Sequence, residues 1–160
     1  AGFIRKYYAQ LLGNVSVVND LRKFISNTYE LCDYLVNRLN IQKLGNKFHQ
    51  RVFYFKSCGA RNLYNNYDAA EILLNSTEGL ELVTDPDMID CCSANGRFSA
   101  INPELSEQLL NRTISKIYST GARCITSTDI HCLQHIDAFI QSKGINIEVI
   151  HIADILNAQD

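Results

Sequence analysis

Arg51-Val-Phe-Tyr-Phe55 is a compact apolar run with one charge at its start and Lys56-Ser57-Cys58 directly after it. A short run of this kind suits a central strand buried on both faces. Leu80-Glu-Leu-Val-Thr84, Cys124-Ile-Thr-Ser-Thr128 and Ile147-Glu-Val-Ile-His-Ile152 repeat the pattern downstream. Helical signals separate them. Asp68-Ala-Ala-Glu71 has the form of a capping box opening a helix through Leu74. Asn102 and Pro103 supply an N-cap and a first-turn proline to a helix carrying Leu105, Leu109, Ile114 and Ile117 to a stop at Gly121. Asp129 can cap a helix that turns Ile136, Phe139 and Ile140 inward and ends at Gly144, and a short helix closes the chain. Strands alternating with helices predict an α/β fold: a three-layer αβα arrangement around a mostly parallel, four-stranded sheet.

Upstream of residue 51 the period is helical. Phe3, Tyr7 and Leu11 mark a short amphipathic segment ending near Gly13-Asn14. Leu21, Phe24, Ile25, Thr28, Leu31, Cys32, Leu35 and Leu39 then form one long stripe at spacings of three and four. Polar residues at 43–50 end it. The expected organisation is a helical connecting segment over 1–48 and an α/β domain over 49–160. The chain opens at Ala1, without a Met and partway into a helical pattern, as a fragment of a longer protein would.

The 160 residues suffice for one domain with a proper core. Hydrophobic content of 46%, charged content of 20% and a net charge of −2 are those of an ordinary globular protein. No basic stripe with interleaved aromatics points to nucleic acid. No apolar run reaches the ~20 residues of a membrane span, and no signal-peptide pattern opens the chain. Six cysteines are many for a cytosolic protein, yet the helix-rich pattern does not suit a small disulfide scaffold. Reduced thiols in a cytoplasm are expected. The sequons at Asn14, Asn75 and Asn111 carry little weight in an Asn-rich sequence.

The cysteines hold the functional signal. Cys91 and Cys92 are adjacent, and adjacent side chains of an extended segment point to opposite faces, so the pair suits a loop better than a core. In open α/β sheets, sites lie outside the carboxyl ends of the strands. Cys58 follows the first strand, Cys91 and Cys92 follow the second by a loop, and Asp129 and Cys132 follow the third in the first turn of a helix. Three loops thereby bring thiols to one sheet edge. The helix N-terminus at Cys132 favours thiolate there. Four thiols suit a soft metal centre, a cluster or a redox pair.

Cys32 on its apolar stripe and Cys124 at a strand start are expected to be structural. His131 and His135 have the i, i+4 spacing of two zinc-binding histidines, but at a helix start they read more simply as a solvated or capping pair. Asp129 is most simply an N-cap, although a carboxylate beside thiols can also be an oxygen ligand or proton acceptor. Arg61 and Arg97 near the cysteine loops read as surface arginines that could hold an anionic partner. No GxGxxG, P-loop, GxSxG or HExxH occurs, so nucleotide, hydrolase and zincin chemistries gain no support.

The order Cys58, Cys91-Cys92, Asp129, Cys132 resembles the CCG cysteine-rich domain, in which a cysteine, a Cys-Cys-Gly and a Cys-x-x-Cys are separated by gaps of some thirty residues. Ser57-Cys58, Gly79-Leu-Glu-Leu-Val83, Cys91-Cys92-x-x-x-Gly96-x-Phe98, Thr120-Gly-Ala122, Cys132-Leu-x-His135 and His151-Ile-Ala-Asp-Ile-Leu156 look like the second half of the iron-sulfur subunit of bacterial lactate-utilisation oxidases. The iron-sulfur subunit of glycolate oxidase and a cysteine-rich subunit of heterodisulfide reductase are related chains.

The resemblance implies a cytoplasmic electron-transfer subunit holding an iron-sulfur cluster, of the 4Fe-4S type, in a complex that oxidises a 2-hydroxy acid such as lactate or glycolate. It implies Cys58, Cys91, Cys92 and Cys132 as thiolate ligands, with Asp129 at the position of the first Cys-x-x-Cys cysteine. It also implies other subunits as partners, and a first cysteine-rich half of the same protein preceding residues 1–40. The sequence departs from the family in two places. Ser93-Ala-Asn95 stands where Gly-Phe-Gly is usual, and Phe55 and Gly59 occupy positions where histidines are common. Two alternatives use the same thiols: a structural four-cysteine zinc module, and a thiol-disulfide switch at Cys91-Cys92.

Overall fold

The computed structural model describes residues 1–12, 18–64, 68–85, 91–94 and 98–159. The expected helix end at Gly13-Asn14, the sequon at Asn14, and Asn95, Gly96 and Arg97 lie outside the described residues.

β1 (Arg51–Tyr54), β2 (Glu81–Val83), β3 (Cys124–Ser127) and β4 (Glu148–His151) form one sheet in the order β2-β1-β3-β4, with every pairing parallel. The two strands richest in buried side chains are the central ones, as a strand covered on both faces requires. Val52 pairs with Leu82 on one side and Cys124 on the other, and Ser127 pairs with His151 at the carboxyl edge.

Parallel neighbours need crossovers, and helices supply them. α4 (Asp68–Asn75) joins β1 to β2, α5 (Phe98–Ile101) and α6 (Pro103–Ser119) lie between β2 and β3, α7 (Ile130–Lys143) joins β3 to β4, and α8 (Ile152–Leu156) follows β4. Alternation along the strands sorts two apolar layers. Phe53, Phe55 and Ile125 pack with Leu110, Ile114 and Ile117 of α6 and Leu133, Ile136, Phe139 and Ile140 of α7. Val52, Tyr54 and Cys124 pack with Leu73 and Leu74 of α4, Ile152 and Ile155 of α8, and Cys32 and Val36. The result is the three-layer αβα fold. No helix among the described residues is long and apolar enough to cross a membrane.

Before the sheet come α1 (Gly2–Leu12), α2 (Val18–Ser26) and α3 (Leu31–Asp33), the last running on into a π-helical turn, Tyr34–Arg38. The expected single stripe from Leu21 to Leu39 is therefore broken at residues 27–30. Asn27 Nδ2 and Thr28 Oγ1 donate back to the carbonyls of Lys23 and Phe24, competing with helix propagation. Glu30 then starts a new helix by accepting from the amides of Cys32 and Asp33.

A polar network docks α1 beside the first cysteine loop. Arg5 pairs with buried Asp33 at 3.5 Å and lies over the rings of Tyr29 and Tyr64, 4.8 and 4.9 Å from their centroids. The Tyr64 hydroxyl donates to Asp33 and accepts from the Glu30 amide, and Lys6 donates to the Asn62 carbonyl at 3.0 Å. Tyr64 ends the π-helical turn Ala60–Tyr64, which starts two residues after Cys58.

One helix face differs from the sequence expectation. α6 buries Ser106, Leu110, Thr113, Ile114 and Ile117, whereas Leu105 is 48% exposed. The buried set follows the i, i+4, i+7, i+8, i+11 arc of a straight helix, and that arc admits a serine at its start. Pro103 occupies the first turn and Asn102 the cap position, but the Asn102 side chain makes no cap hydrogen bond.

Candidate functional site at the carboxyl edge of the sheet

From β1 the chain crosses to β2 on one side, then returns past β1 to β3 on the other. The strand order therefore reverses between the carboxyl ends of β1 and β3, where ligand sites of open α/β sheets form. Cys58 and Asp129 leave the sheet at these two ends.

Cys58 is half-buried in a turn that Ser57 organises, the Ser57 hydroxyl accepting from the Ala60 amide at 3.0 Å. Asp129 caps α7, its Oδ1 accepting from the amides of His131 (3.1 Å) and Cys132 (3.4 Å). Its Oδ2 lies against Gly59, where a Cβ would stand 3.6 Å away. Cys132 is thus in the first turn of α7. Asp129→Ala is expected to cost about 1 kcal/mol of stability in urea unfolding, the usual value of a lost cap, with Asp129→Asn keeping most of it.

Cys92 and Cys132 are buried, at 2% and 3% exposure, and their sulfurs are 2.7 Å apart. Cys91 is adjacent to Cys92 in the chain, and it lies near enough to Cys58 to raise that thiol's pKa. The four thiols therefore influence one another in the order Cys58, Cys91, Cys92, Cys132, with a direct sulfur contact between the last two. The vicinal pair divides its labour: Cys92 turns into the apolar layer toward Cys132, while Cys91 stays half-buried and accepts the Ser93 amide at 3.3 Å. A cavity of about 450 Å³ opens on Cys58, Cys92, Cys132, Asp129 and His131. A second, of about 530 Å³, shares Gly59, Leu63, Asp129 and His131 with it and has Tyr54 and α1 in its wall.

Cys58, Cys91 and Cys92 are all harder to deprotonate than an ordinary thiol. In Cys92 the hydrogen bond with Cys132, followed by burial, pushes the pKa up to about 12 against the opposing contact with Cys91. Cys91 is raised by Cys92 and then by burial. Cys58 is raised by burial, then by Cys91 and Asp129. A metal arriving here must displace protons, so its binding is coupled to pH.

Donor chemistry and space fit a soft metal or cluster. The Cys92 and Cys132 sulfurs are packed against one another, and among the described residues no three or more His, Cys, Asp and Glu side chains are placed so that they could hold a metal ion as they stand. A tetrahedral zinc site with Zn–S near 2.3 Å separates its sulfurs by about 3.8 Å, so Cys92 and Cys132 must part to share a metal.

The remaining candidates are spread over the fold. Cys124 and Cys32 belong to the opposite apolar layer, and burial pushes the Cys124 pKa up to about 12. Arg61 lies in the π-helical turn after Cys58. His131 is exposed at the cavity, whereas His135 turns away, its Nε2 lying 3.3 Å from both Ser93 Oγ and Ser106 Oγ. Burial lowers the His135 pKa. The two histidines do not meet. Ser106 and its contact with His135 were not foreseen from the sequence; the only signal was Ser93 standing at a glycine position.

The family described as CCG, cysteine-rich domain, matches residues 52–137, from β1 into α7, and so includes all four thiols and Asp129. "Lactate utilization protein A" of Shouchella clausii is 36% identical over 135 residues, which cover 84% of this chain and 56% of that protein. The protein of the same name from Halalkalibacterium halodurans is 32% identical over 96% of this chain and 63% of its own length. That from Geobacillus kaustophilus is 32% identical over the whole chain and 67% of its own length. The chain spans between about half and two thirds of the curated relatives it matches. With more than half of its residues matched, and with the four cysteines gathered at the switch point of a parallel sheet, the chain belongs to the CCG cysteine-rich domain family.

Proposed function

We propose that this chain is the cluster-holding part of an iron-sulfur electron-transfer subunit serving oxidation of a 2-hydroxy acid such as lactate or glycolate. The observation that carries the reading is the convergence of Cys58, Cys91, Cys92 and Cys132 at one sheet edge, in a chain whose relatives are named for lactate utilisation. These four residues would hold the cluster as thiolates, with Asp129 beside them. A bound iron-sulfur cluster supplies one-electron chemistry at a potential set by charge, hydrogen bonding and burial.

The chain's own residues supply the setting. Cys92 and Cys132 are embedded in the apolar layer of α6 and α7, which excludes water from two of the four sulfurs. The Ser93 amide donates to Cys91 Sγ, a contact of the kind that tunes a cluster's potential. Asp129 fixes the α7 turn that carries Cys132 and sets a carboxylate near Cys58. Residues 1–48 would connect this domain to the remainder of a longer polypeptide. Other subunits of the same complex would exchange electrons with it in a reducing cytoplasm.

A structural zinc module is the second reading, favoured by the same all-thiol donor set. Purification without air, followed by visible absorption and analysis for iron, sulfide and zinc, separates the two. Broad visible absorption with iron and acid-labile sulfide is expected. A colourless protein with one zinc per chain would move the assignment to the structural module.

A further inference from the structure

We infer that Ser93, Ser106 and His135 form a hydrogen-bonded clamp that holds the Cys91-Cys92 loop in position from outside the four thiols. The three residues come from separate elements: Ser93 from the loop after Cys92, Ser106 from the first turn of α6, and His135 from the second turn of α7. Ser93 Oγ and Ser106 Oγ are 2.6 Å apart, and His135 Nε2 lies 3.3 Å from each. Ser93 Oγ is also 3.4 Å from the Ser106 carbonyl. Both serines are 3% exposed.

Two features say that the cluster is built to hold something. Ser106 occupies the buried arc of α6, where an apolar side chain would pack, and its hydroxyl has partners in Ser93 and His135, whereas the Thr113 hydroxyl on the same arc has none. Ser93 has a φ of +57°, a left-handed conformation that side-chain-bearing residues rarely adopt. Glycine would take this backbone freely. Serine keeps it by placing its hydroxyl between α6 and α7. One serine donates to the other, which donates to Nε2, or Nε2–H donates into the pair; either arrangement is closed.

The clamp matters because of what lies beside it. The Ser93 amide is the donor to Cys91 Sγ, and Cys92, adjacent in the chain, makes the sulfur contact with Cys132. Ser93, Ser106 and His135 are thus positioning residues, acting on the thiols through the loop. The inference deepens the proposed site and rests on it only in taking Cys91 and Cys92 as the working thiols.

The test needs no metal. In reduced, metal-free protein at one fixed pH, iodoacetamide labelling of each cysteine is followed by peptide mass mapping. Ser93→Ala and Ser106→Ala are expected to speed labelling of Cys91 and Cys92 about tenfold, the factor a lost buried hydrogen bond makes in a local opening equilibrium. Cys32 and Cys124, in the opposite layer, keep their wild-type rates. Ser93→Gly, which relieves the backbone but lacks the hydroxyl, should behave like Ser93→Ala. His135→Gln, retaining a polar nitrogen or oxygen near the Nε2 position, should stay slow while His135→Phe is fast. Wild-type rates in Ser93→Gly would overturn the clamp, because the backbone alone would then hold the loop. So would equal acceleration of all six cysteines in both His135 variants. A failed clamp leaves the cluster proposal standing, and a chain that takes up no iron leaves the clamp intact.

Discussion

Changing Cys92 and Cys132 together to serine is expected to abolish iron uptake, lowering metal affinity by well over 100-fold. Loss of a hydrogen-bonding partner to a metal ligand already costs about 10–100-fold, and here two ligands disappear. These two sulfurs are the most deeply buried of the four thiols and stand 2.7 Å apart, so they form the anchored end of the set. A serine hydroxyl is a hard, weakly acidic donor and a poor substitute for thiolate on iron or zinc. The control is Cys124→Ala. Cys124 lies in the layer formed with α4 and α8, and its loss should leave iron uptake intact despite some cost in stability. Iron bound per chain, with far-ultraviolet circular dichroism to verify the fold, decides the matter. Iron binding at wild-type level in the double variant would remove Cys92 and Cys132 from the ligand set.

The second large effect concerns the scaffold. Ile125→Ala is expected to cost about 2–5 kcal/mol, the usual range for truncating a fully buried aliphatic side chain. Ile125 has no exposed surface, lies in the middle of β3 between Phe53 and Val149, and packs into the layer formed with α6 and α7. Those helices also carry the first turn at Cys132 and the hydroxyl of Ser106, so loss of packing there loosens the site. Leu105→Ala on the outer face of α6 should change stability by no more than about 0.5 kcal/mol. Urea unfolding under reducing conditions measures both. Similar losses at the two positions would mean that α6 presents a different face to the sheet.

The sheet was legible because its signals are local. Arg51-Val-Phe-Tyr-Phe55 and Cys124-Ile-Thr-Ser-Thr128 lie in central strands, where both faces are buried and short runs of apolar and small β-branched or hydroxyl residues stand without interior charge. Asp129 and Gly144 announced α7 because a cap and a left-handed terminator are single-residue events; Gly144 has a φ of +62°. Cys58 and Asp129 could be placed at the carboxyl edge because each directly follows a central strand.

What escaped depends on choices that periodicity leaves open. Leu105 and Leu110 both fit an apolar stripe on α6, and only the packing against α7 decides that Leu110 faces inward. The break at 27–30 hangs on side-chain to carbonyl bonds of Asn27 and Thr28 that an apolar count does not register. His135 carried a zinc-like spacing to His131, yet its partners come from a loop and a helix remote in sequence.

The most direct measurement is anaerobic reconstitution of this chain with iron and sulfide, read by electron paramagnetic resonance before and after reduction. The predicted result is a paramagnetic iron-sulfur signal in one redox state that disappears in the Cys91→Ser, Cys92→Ser double variant. A spectrum with no iron-sulfur signal in either state, from protein that instead retains one tightly held zinc on the same cysteines, would contradict the assignment of a redox cluster to this site.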